Sequence, residues 1–272
     1  MSKDFGGKYA LINGIHLYYE IHGEGNPLIL LHGGLGAIEM FGEVLTVLAA
    51  GRQVIGVDLQ AHGRTADIDR PMTFEAMADD IAALVHHLGL EKVDILGYSL
   101  GGGAALQTAI RHPEIIRKLV LVSTPCKRAG WHAEVEANMA QMDMAAAADA
   151  MKQSPIYALY SQIAPRVDDW PVLLGKVSAL LRKDYDWSGD VRSIKAPTLL
   201  VISDADGVRP AHAVEFFELL GGGKKDAGWD GAGIPNSHLA VVPGLTHYNI
   251  SSSPALAAAV IPFLDAPMPQ AN

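Results

Sequence analysis

Gly97-Tyr98-Ser99-Leu100-Gly101 is a G-x-S-x-G set lying between an apolar run, Val93 to Gly97, and a run of small residues, Leu100 to Arg111. A bare G-x-S-x-G is also a common glycine-rich turn, so its neighbours decide what it means. A serine on a tight strand-to-helix turn is held in a strained conformation with its Oγ exposed, and flanking glycines let the backbone turn that sharply. The helix start behind it presents unpaired N–H groups to a developing negative charge. Gly102, Gly103, Ala104 and Ala105 keep that helix thin enough to pack closely on a sheet. Ser99 is therefore the expected nucleophile of an acyl-transfer reaction.

A serine hydroxyl is a weak nucleophile unless a base lies within hydrogen-bond reach and a third group orients that base. For a serine on such an elbow the chain order is serine, acid, histidine. Of the eleven histidines, His212, His238 and His247 follow a suitable acid. His212 falls early in a helix-forming stretch and His238 opens a strand, so both read as ordinary surface or packed histidines. His247 follows Pro243-Gly244-Leu245-Thr246, just past the end of a strand, and is the expected base.

The acid belongs after the Thr198 to Ile202 run, where Ser203-Asp204-Ala205-Asp206-Gly207 offers two carboxylates. Asp206, further into the turn, is favoured to reach His247 Nδ1. Asp204 is the alternative, although bracing a turn backbone is the usual work of an aspartate there. The tetrahedral oxyanion also needs donors, each worth roughly 10²–10³ in rate. The Leu100 N–H is one. The other is expected from His32-Gly33-Gly34-Leu35-Gly36, with Gly34 preferred and Leu35 as the alternative.

These groups need a scaffold, and the hydropathy pattern supplies one. Tyr9 and Leu11, then Ile15, Leu17, Tyr19 and Ile21, alternate about Asn13-Gly14, which predicts a hairpin with a type I′ turn. Pro27 to Leu31 and Arg52 to Val57 are apolar on both faces, as strands buried in a parallel sheet are. Phe74, Met77, Ala78, Ile81, Leu84, Val85 and Leu88 share one helical face, with Thr73 as N-cap and Gly89 as stop. Strands follow at Val93 to Gly97 and Leu119 to Val122, with the small-residue helix between them. The alternation predicts a parallel α/β sheet.

The rhythm breaks between Cys126 and about Ser188, which is helix-forming and rich in Ala, Met and aromatic residues. It resumes with strands at Thr198 to Ile202 and Leu239 to Val242, separated by a helix near Ala211 to Leu220. Gly221 to Pro235 reads as an exposed loop, and the tail after Ala266 as frayed.

Composition agrees with a packed globular chain. Of 272 residues 49% are hydrophobic and 19% charged, with 21 Lys+Arg against 30 Asp+Glu for a net charge of −9. An acidic chain without basic clusters argues against a nucleic-acid or anionic-membrane partner. One cysteine, Cys126, forms no internal disulfide and fits a reducing, cytoplasmic setting. No apolar run reaches the roughly 18–20 residues of a membrane span. Met1 to Gly7 lacks the apolar core of a secretory signal. His86-His87 points two rings to different sides of a helix, and no metal or cofactor is expected. A homodimer is compatible with the sequence.

Over essentially its whole length the chain resembles the α/β-hydrolase superfamily, through His32-Gly33, Gly97-Tyr98-Ser99-Leu100-Gly101, Ser203-Asp204-Ala205-Asp206 and His247, in that order. Asp58-Leu59-Gln60-Ala61-His62-Gly63-Arg64-Thr65 resembles the family's D-x-x-G-x-G-x-S loop, with Ala61 and Thr65 as departures and His62 as a structural residue. Asp206-Gly207-Val208-Arg209-Pro210 matches the family's placement of the acid before x-x-x-Pro. The resemblance implies an eight-stranded, mostly parallel sheet flanked by helices. Residues 1–125 and 189–272 would form the core domain, and 126–188 an inserted helical cap.

Cap residues line the substrate pocket in such proteins. Trp131, Met139, Met142, Tyr157 and Tyr160, with Leu35 and Tyr98 from the core, are the expected lining, although each cap residue serves equally well as packing. Members that open epoxides or displace halide carry a carboxylate at the elbow, where this chain has Ser99. A small-to-medium, largely apolar carboxylic ester is the expected substrate. Carbon–carbon bonds, lactones or peracid formation are alternatives for the same three residues, and a non-catalytic binding protein is a more distant one. No cap arginine stands out to hold a dienoate carboxylate, with Arg166, Arg182 and Arg192 as the candidates to be placed.

Overall fold

The computed structural model describes residues 6–269. Most of the N-terminal segment read as lacking a signal, and the end of the tail read as frayed, lie outside these residues. The chain opens with β1 (Lys8–Ile12) and β2 (Ile15–His22), paired antiparallel with Ile12 opposite Ile15. Asn13 and Gly14 both take positive φ, 49° and 84°, as a type I′ turn requires.

The face that β1 buries is not the one carrying its larger apolar side chains. Tyr9 and Leu11 are 53% and 68% exposed, whereas Ala10 and Ile12 are buried. The register explains this: Ala10 and Ile12 lie opposite the buried Leu17 and Ile15. On the open face of this edge strand Tyr9 packs edge-on against Tyr18.

The remaining strands are β3 (Pro27–Leu31), β4 (Gln53–Asp58), β5 (Val93–Tyr98), β6 (Ile116–Val122), β7 (Thr198–Ala205) and β8 (His238–Thr246). They form one eight-stranded sheet in the order β1-β2-β4-β3-β5-β6-β7-β8. β2 meets β4 antiparallel, and every pairing from β4 to β8 is parallel.

Two-sided burial follows directly from the continuous apolar runs. Ile29 and Leu31 belong to one core with Ile95, Leu119 and Leu121, while Leu28 and Leu30 belong to a second with Val54, Leu96 and Val120. Helices α2 (Phe74–His87), α3 (Leu100–Arg111) and α9 (Pro210–Leu219) contribute to the first core. Helices α1 (Glu43–Ala49) and α10 (Pro254–Asp265) cover the second. Thr73 caps α2 as expected, its Oγ1 accepting from the Ala76 N–H.

Between β6 and β7 the chain forms α4 (Ala133–Gln141), α5 (Ala148–Met151), α6 (Pro155–Ile163), α7 (Trp170–Leu181) and α8 (Ser188–Val191), without a named strand. Lys176 on α7 ties this segment to the loop after β4, donating to Asp67 Oδ1 at 2.8 Å and to the Ile68 and Arg70 carbonyls.

The last helix has its own anchor. Lys118 on β6 is 1% exposed, and its ammonium donates to the Phe263, Leu264 and Ala266 carbonyls at the end of α10. A cation there satisfies the unpaired carbonyls and opposes the helix dipole. Lys118→Met, which keeps the bulk and removes the donors, is expected to cost about 2–4 kcal/mol in urea-induced unfolding. A loss below about 0.5 kcal/mol would contradict that role.

Candidate active site

Parallel strands deliver their carboxyl ends to one edge of the sheet, and the three groups singled out in the sequence all leave from that edge. Ser99 follows β5, Asp206 follows β7 and His247 follows β8. Ser99 has φ 52° and ψ −115°, a conformation costly to any residue with a side chain. Glycines make this turn possible. A Cβ on Gly97 would lie 2.3 Å from the Gly101 carbonyl oxygen, and one on Gly101 would lie 2.4 Å from that of His32.

Ser99 Oγ lies 3.1 Å from His247 Nε2, and His247 Nδ1 lies 2.9 Å from Asp206 Oδ1. With a carboxylate accepting at Nδ1, the ring proton resides there and Nε2 is left to accept from the serine hydroxyl. Asp206 is buried, and Oδ1 also accepts from the Val208 N–H, while Oδ2 accepts from Ser123 Oγ, the Ser203 N–H and Ser203 Oγ. Burial alone would raise the carboxyl, but the His247 contact, Ser123 and Val208 N–H hold it below the ordinary carboxylate range.

Asp204 does something else. Its Oδ1 accepts from the Gly244 N–H at 2.8 Å, bracing the end of β7 to the end of β8. Of the other two histidines, His238 opens β8. His212 is fully buried in α9, accepting from the Cys126 N–H and pairing with Glu215.

The His247 ring sits among aromatic rings. The Tyr98, Trp131 and Tyr248 centroids lie 5.5, 5.4 and 5.5 Å from its own, and the Tyr98 hydroxyl donates to the His247 carbonyl at 2.5 Å. Tyr98 thus faces the cavity while its polar end fixes the histidine loop.

The loop after β3 is held from behind. His32 is buried, with Nδ1 donating to the Gly33 carbonyl and Nε2 accepting from the Leu59 N–H. Burial pulls this imidazole down to about 4, so it stays neutral and keeps both bonds. The Gly101 N–H donates to the His32 carbonyl, joining that loop to the elbow. Leu100, first residue of α3, has an N–H with no intrahelical acceptor. Gly34, Leu35 and Leu100 all border the same cavity as Ser99.

That cavity has a volume of about 410 Å³. Leu35, Tyr98, Trp131 and Met139 line it, as expected from sequence. Met142, Tyr157 and Tyr160 do not. Met142 is exposed, and Tyr157 and Tyr160 instead pack their rings on Trp170 within the helical segment. Helical spacing cannot distinguish a lining residue from one turned into its own helix bundle.

Several residues were missed. Phe74 and Met40 reach the cavity from the core, and Met144, Tyr185 and Arg128 from the segment after β6. Ser123, directly after β6, shares the strand-end position of Ser99 and Asp206, which is the signal that identifies it. Arg166 donates instead to the Asp67 carbonyl, and neither Arg166, Arg182 nor Arg192 lines the cavity.

The alpha/beta hydrolase fold family model matches residues 26–153, a span that includes the β3 loop and the serine elbow. A soluble epoxide hydrolase from Corynebacterium sp. (strain C12) is 35% identical over 125 residues, covering 45% of this chain and 43% of that protein, so the chain spans less than half of that relative. A non-heme haloperoxidase from Rhodococcus erythropolis is 25% identical over 267 residues, covering 86% of this chain and 90% of its own. Among solved structures, the enol-lactonase from Burkholderia xenovorans LB400 superposes with a TM-score of 0.72 at 21% identity, covering 95% of this chain and 100% of its own. The likeness to solved structures extends across the β7 and β8 ends that the family model does not reach, and the chain has the α/β-hydrolase fold.

Proposed function

We propose that this chain is a serine hydrolase of carboxylic esters, acting through an acyl-enzyme. The observation that carries the reading is the hydrogen-bonded line from Ser99 Oγ to His247 Nε2 and from His247 Nδ1 to Asp206 Oδ1. Ser99 attacks the ester carbonyl carbon as His247 takes its proton. The resulting oxyanion receives the Leu100 and Gly34 N–H groups, with Leu35 as the alternative to Gly34. Collapse breaks the acyl–oxygen bond, and His247 returns the proton to the departing alcohol. Water, deprotonated by His247, then releases the acid and restores Ser99. Asp206 orients the ring and stabilises the imidazolium.

The relatives carry names from several chemistries, so the bond cleaved is read from the site. A serine hydroxyl rather than a carboxylate at the elbow supports acyl transfer over epoxide opening. An apolar cavity near Ser99 supports a largely apolar ester of small to medium size. Residues 126–188 act in this reading as the cap on a core formed by 1–125 and 189–272, and support comes from Trp131, Met139 and Met144 in the cavity wall. The small-molecule ester is the proposed partner. Among the described residues, no helix is long and apolar enough to cross a membrane, and no three His, Cys, Asp or Glu side chains are grouped to hold a metal.

Hydrolysis of p-nitrophenyl esters from acetate to decanoate tests the reading, with simple lactones run beside them. A chain-length optimum is expected, since the cavity has a finite volume of about 410 Å³. Inertness towards every ester, with lactones opened, would move the bond to the cyclic ester. Inertness towards both would reject the esterase reading.

The pH dependence is equally specific. A protonated His247 has no lone pair for the Ser99 proton, so kcat/KM is expected to fall towards acid pH along a single ionisation. Asp206, held below the ordinary carboxylate range, stays ionised through that window and adds no second step. A flat profile from acid to neutral would contradict His247 as the base.

A further inference from the structure

The donors around the Asp206 carboxylate come from two sources. The Ser203 N–H, Ser203 Oγ and the Val208 N–H belong to the same turn as Asp206 and shape that turn. Ser123 Oγ comes from the end of the neighbouring strand, β6, and donates to Oδ2 at 2.5 Å. Apart from His247, it is the donor among the described residues that reaches this carboxylate from outside its own turn.

The strand end that carries Ser123 also holds the nucleophile. The Val122 carbonyl accepts from the Ser99 N–H at 2.9 Å, and Thr124 Oγ1 donates to the Ser99 carbonyl at 3.1 Å. The Ser123 N–H donates to the Val201 carbonyl of β7 at 2.8 Å, which fixes the backbone from which the hydroxyl springs. Val122-Ser123-Thr124 therefore grips the elbow through Val122 and Thr124 and the acid through Ser123.

Ser123 holds this place against its backbone preference. Its φ is 52°, in the left-handed region that glycine enters freely and a residue with a Cβ does not. Ser99 and Leu35, both in the cavity wall, share that departure. A side chain kept in such a conformation points to a use for that side chain. Ser123 is fully buried, so its hydroxyl is shielded from water and has Oδ2 as its acceptor. A carboxylate turns about a single bond, and its two oxygens are chemically alike. Clamping Oδ2 leaves Oδ1 directed at His247 Nδ1, 2.9 Å away.

We propose that Ser123 is the positioning residue of the acid. Its hydroxyl aims the Asp206 carboxylate at His247 and ties it to the strand end that carries the Ser99 turn. The expected effect on rate rests on the serine-hydrolase reading above, whereas the aim of the carboxylate is measurable without it.

Ser123→Ala and Ser123→Gly both remove the hydroxyl, and glycine also relieves the backbone. In p-nitrophenyl ester hydrolysis kcat is expected to fall about 10–100-fold in both, the worth of a hydrogen bond to a charged group, with KM within about twofold. Ser123→Gly is expected to unfold no earlier than Ser123→Ala. Proton NMR of the resting protein supplies the reading that needs no substrate. The His247 Nδ1 proton, held against Oδ1, is expected to give a low-field resonance that is absent from His247→Gln. In both Ser123 variants exchange with water is expected to broaden it.

A kcat within about twofold of wild type in both variants, or a low-field resonance as sharp as in the wild type, would overturn the proposal. So would full activity in Ser123→Gly beside a loss in Ser123→Ala, because the loss would then come from the backbone. If the wild type cleaves no ester, the serine-hydrolase reading fails. The resonance then still decides whether Ser123 aims the carboxylate.

Discussion

Ser99→Ala is expected to lower kcat for p-nitrophenyl ester hydrolysis by roughly 10⁴-fold or more while leaving the fold intact. The size of the loss follows from the arrangement. Without Oγ no acyl-enzyme forms, and His247 with the oxyanion donors can only assist water, which retains a small residual rate. The elbow survives because its shape comes from Gly97 and Gly101, where the backbone of β3 and α3 approaches too closely for a Cβ. Circular dichroism and the unfolding midpoint of the variant are expected to match the wild type. Activity within tenfold of wild type would remove Ser99 as nucleophile.

Asp206→Asn is expected to reduce kcat by about 10³–10⁴-fold, and Asp204→Asn by no more than about twofold. The contrast comes from hydrogen-bond direction. Asp206 accepts from Ser123, Ser203, Val208 and His247, and an amide offers one oxygen to a site built entirely of donors. With its oxygen kept by Ser123 and Ser203, its NH₂ faces His247 Nδ1. That selects the tautomer protonated at Nε2, which cannot accept from Ser99. Asn at 204 still offers Oδ1 to the Gly244 N–H, so the brace between β7 and β8 persists. Parallel kcat measurements on the two variants decide between the carboxylates, and a larger loss at Asp204 would reverse the assignment.

The sheet and the strand-end groups were legible because each rests on a short-range rule. Pro27 to Leu31 is apolar throughout because both faces of β3 are buried, and Asn13-Gly14 forms its turn whatever surrounds it. Parallel strands then bring Ser99, Asp206 and His247 to one edge without further information. The face of β1 was not legible. Tyr9 and Leu11 look like core by alternation, and only pairing with β2 shows that the core side carries Ala10 and Ile12.

The cavity wall was legible only in part, for a related reason. Trp131 and Met139 point into it, whereas Tyr157 and Tyr160 turn to Trp170, yet all four have the same helical and aromatic signature. Tyr185 gave no signal at all. Its place in the wall is set by packing on Trp187, two residues on, and on Phe74 from α2.

The central claim is that Ser99 is the activated nucleophile, and covalent labelling tests it without knowledge of the natural ester. The protein would be treated with a fluorophosphonate at neutral pH, quenched at intervals, and digested for mass mapping of the adduct. One phosphonyl group on Ser99 is expected, forming much more slowly in Asp206→Asn and not at all in Ser99→Ala. An unlabelled Ser99, or an adduct carried by another residue at the same rate, would contradict the account.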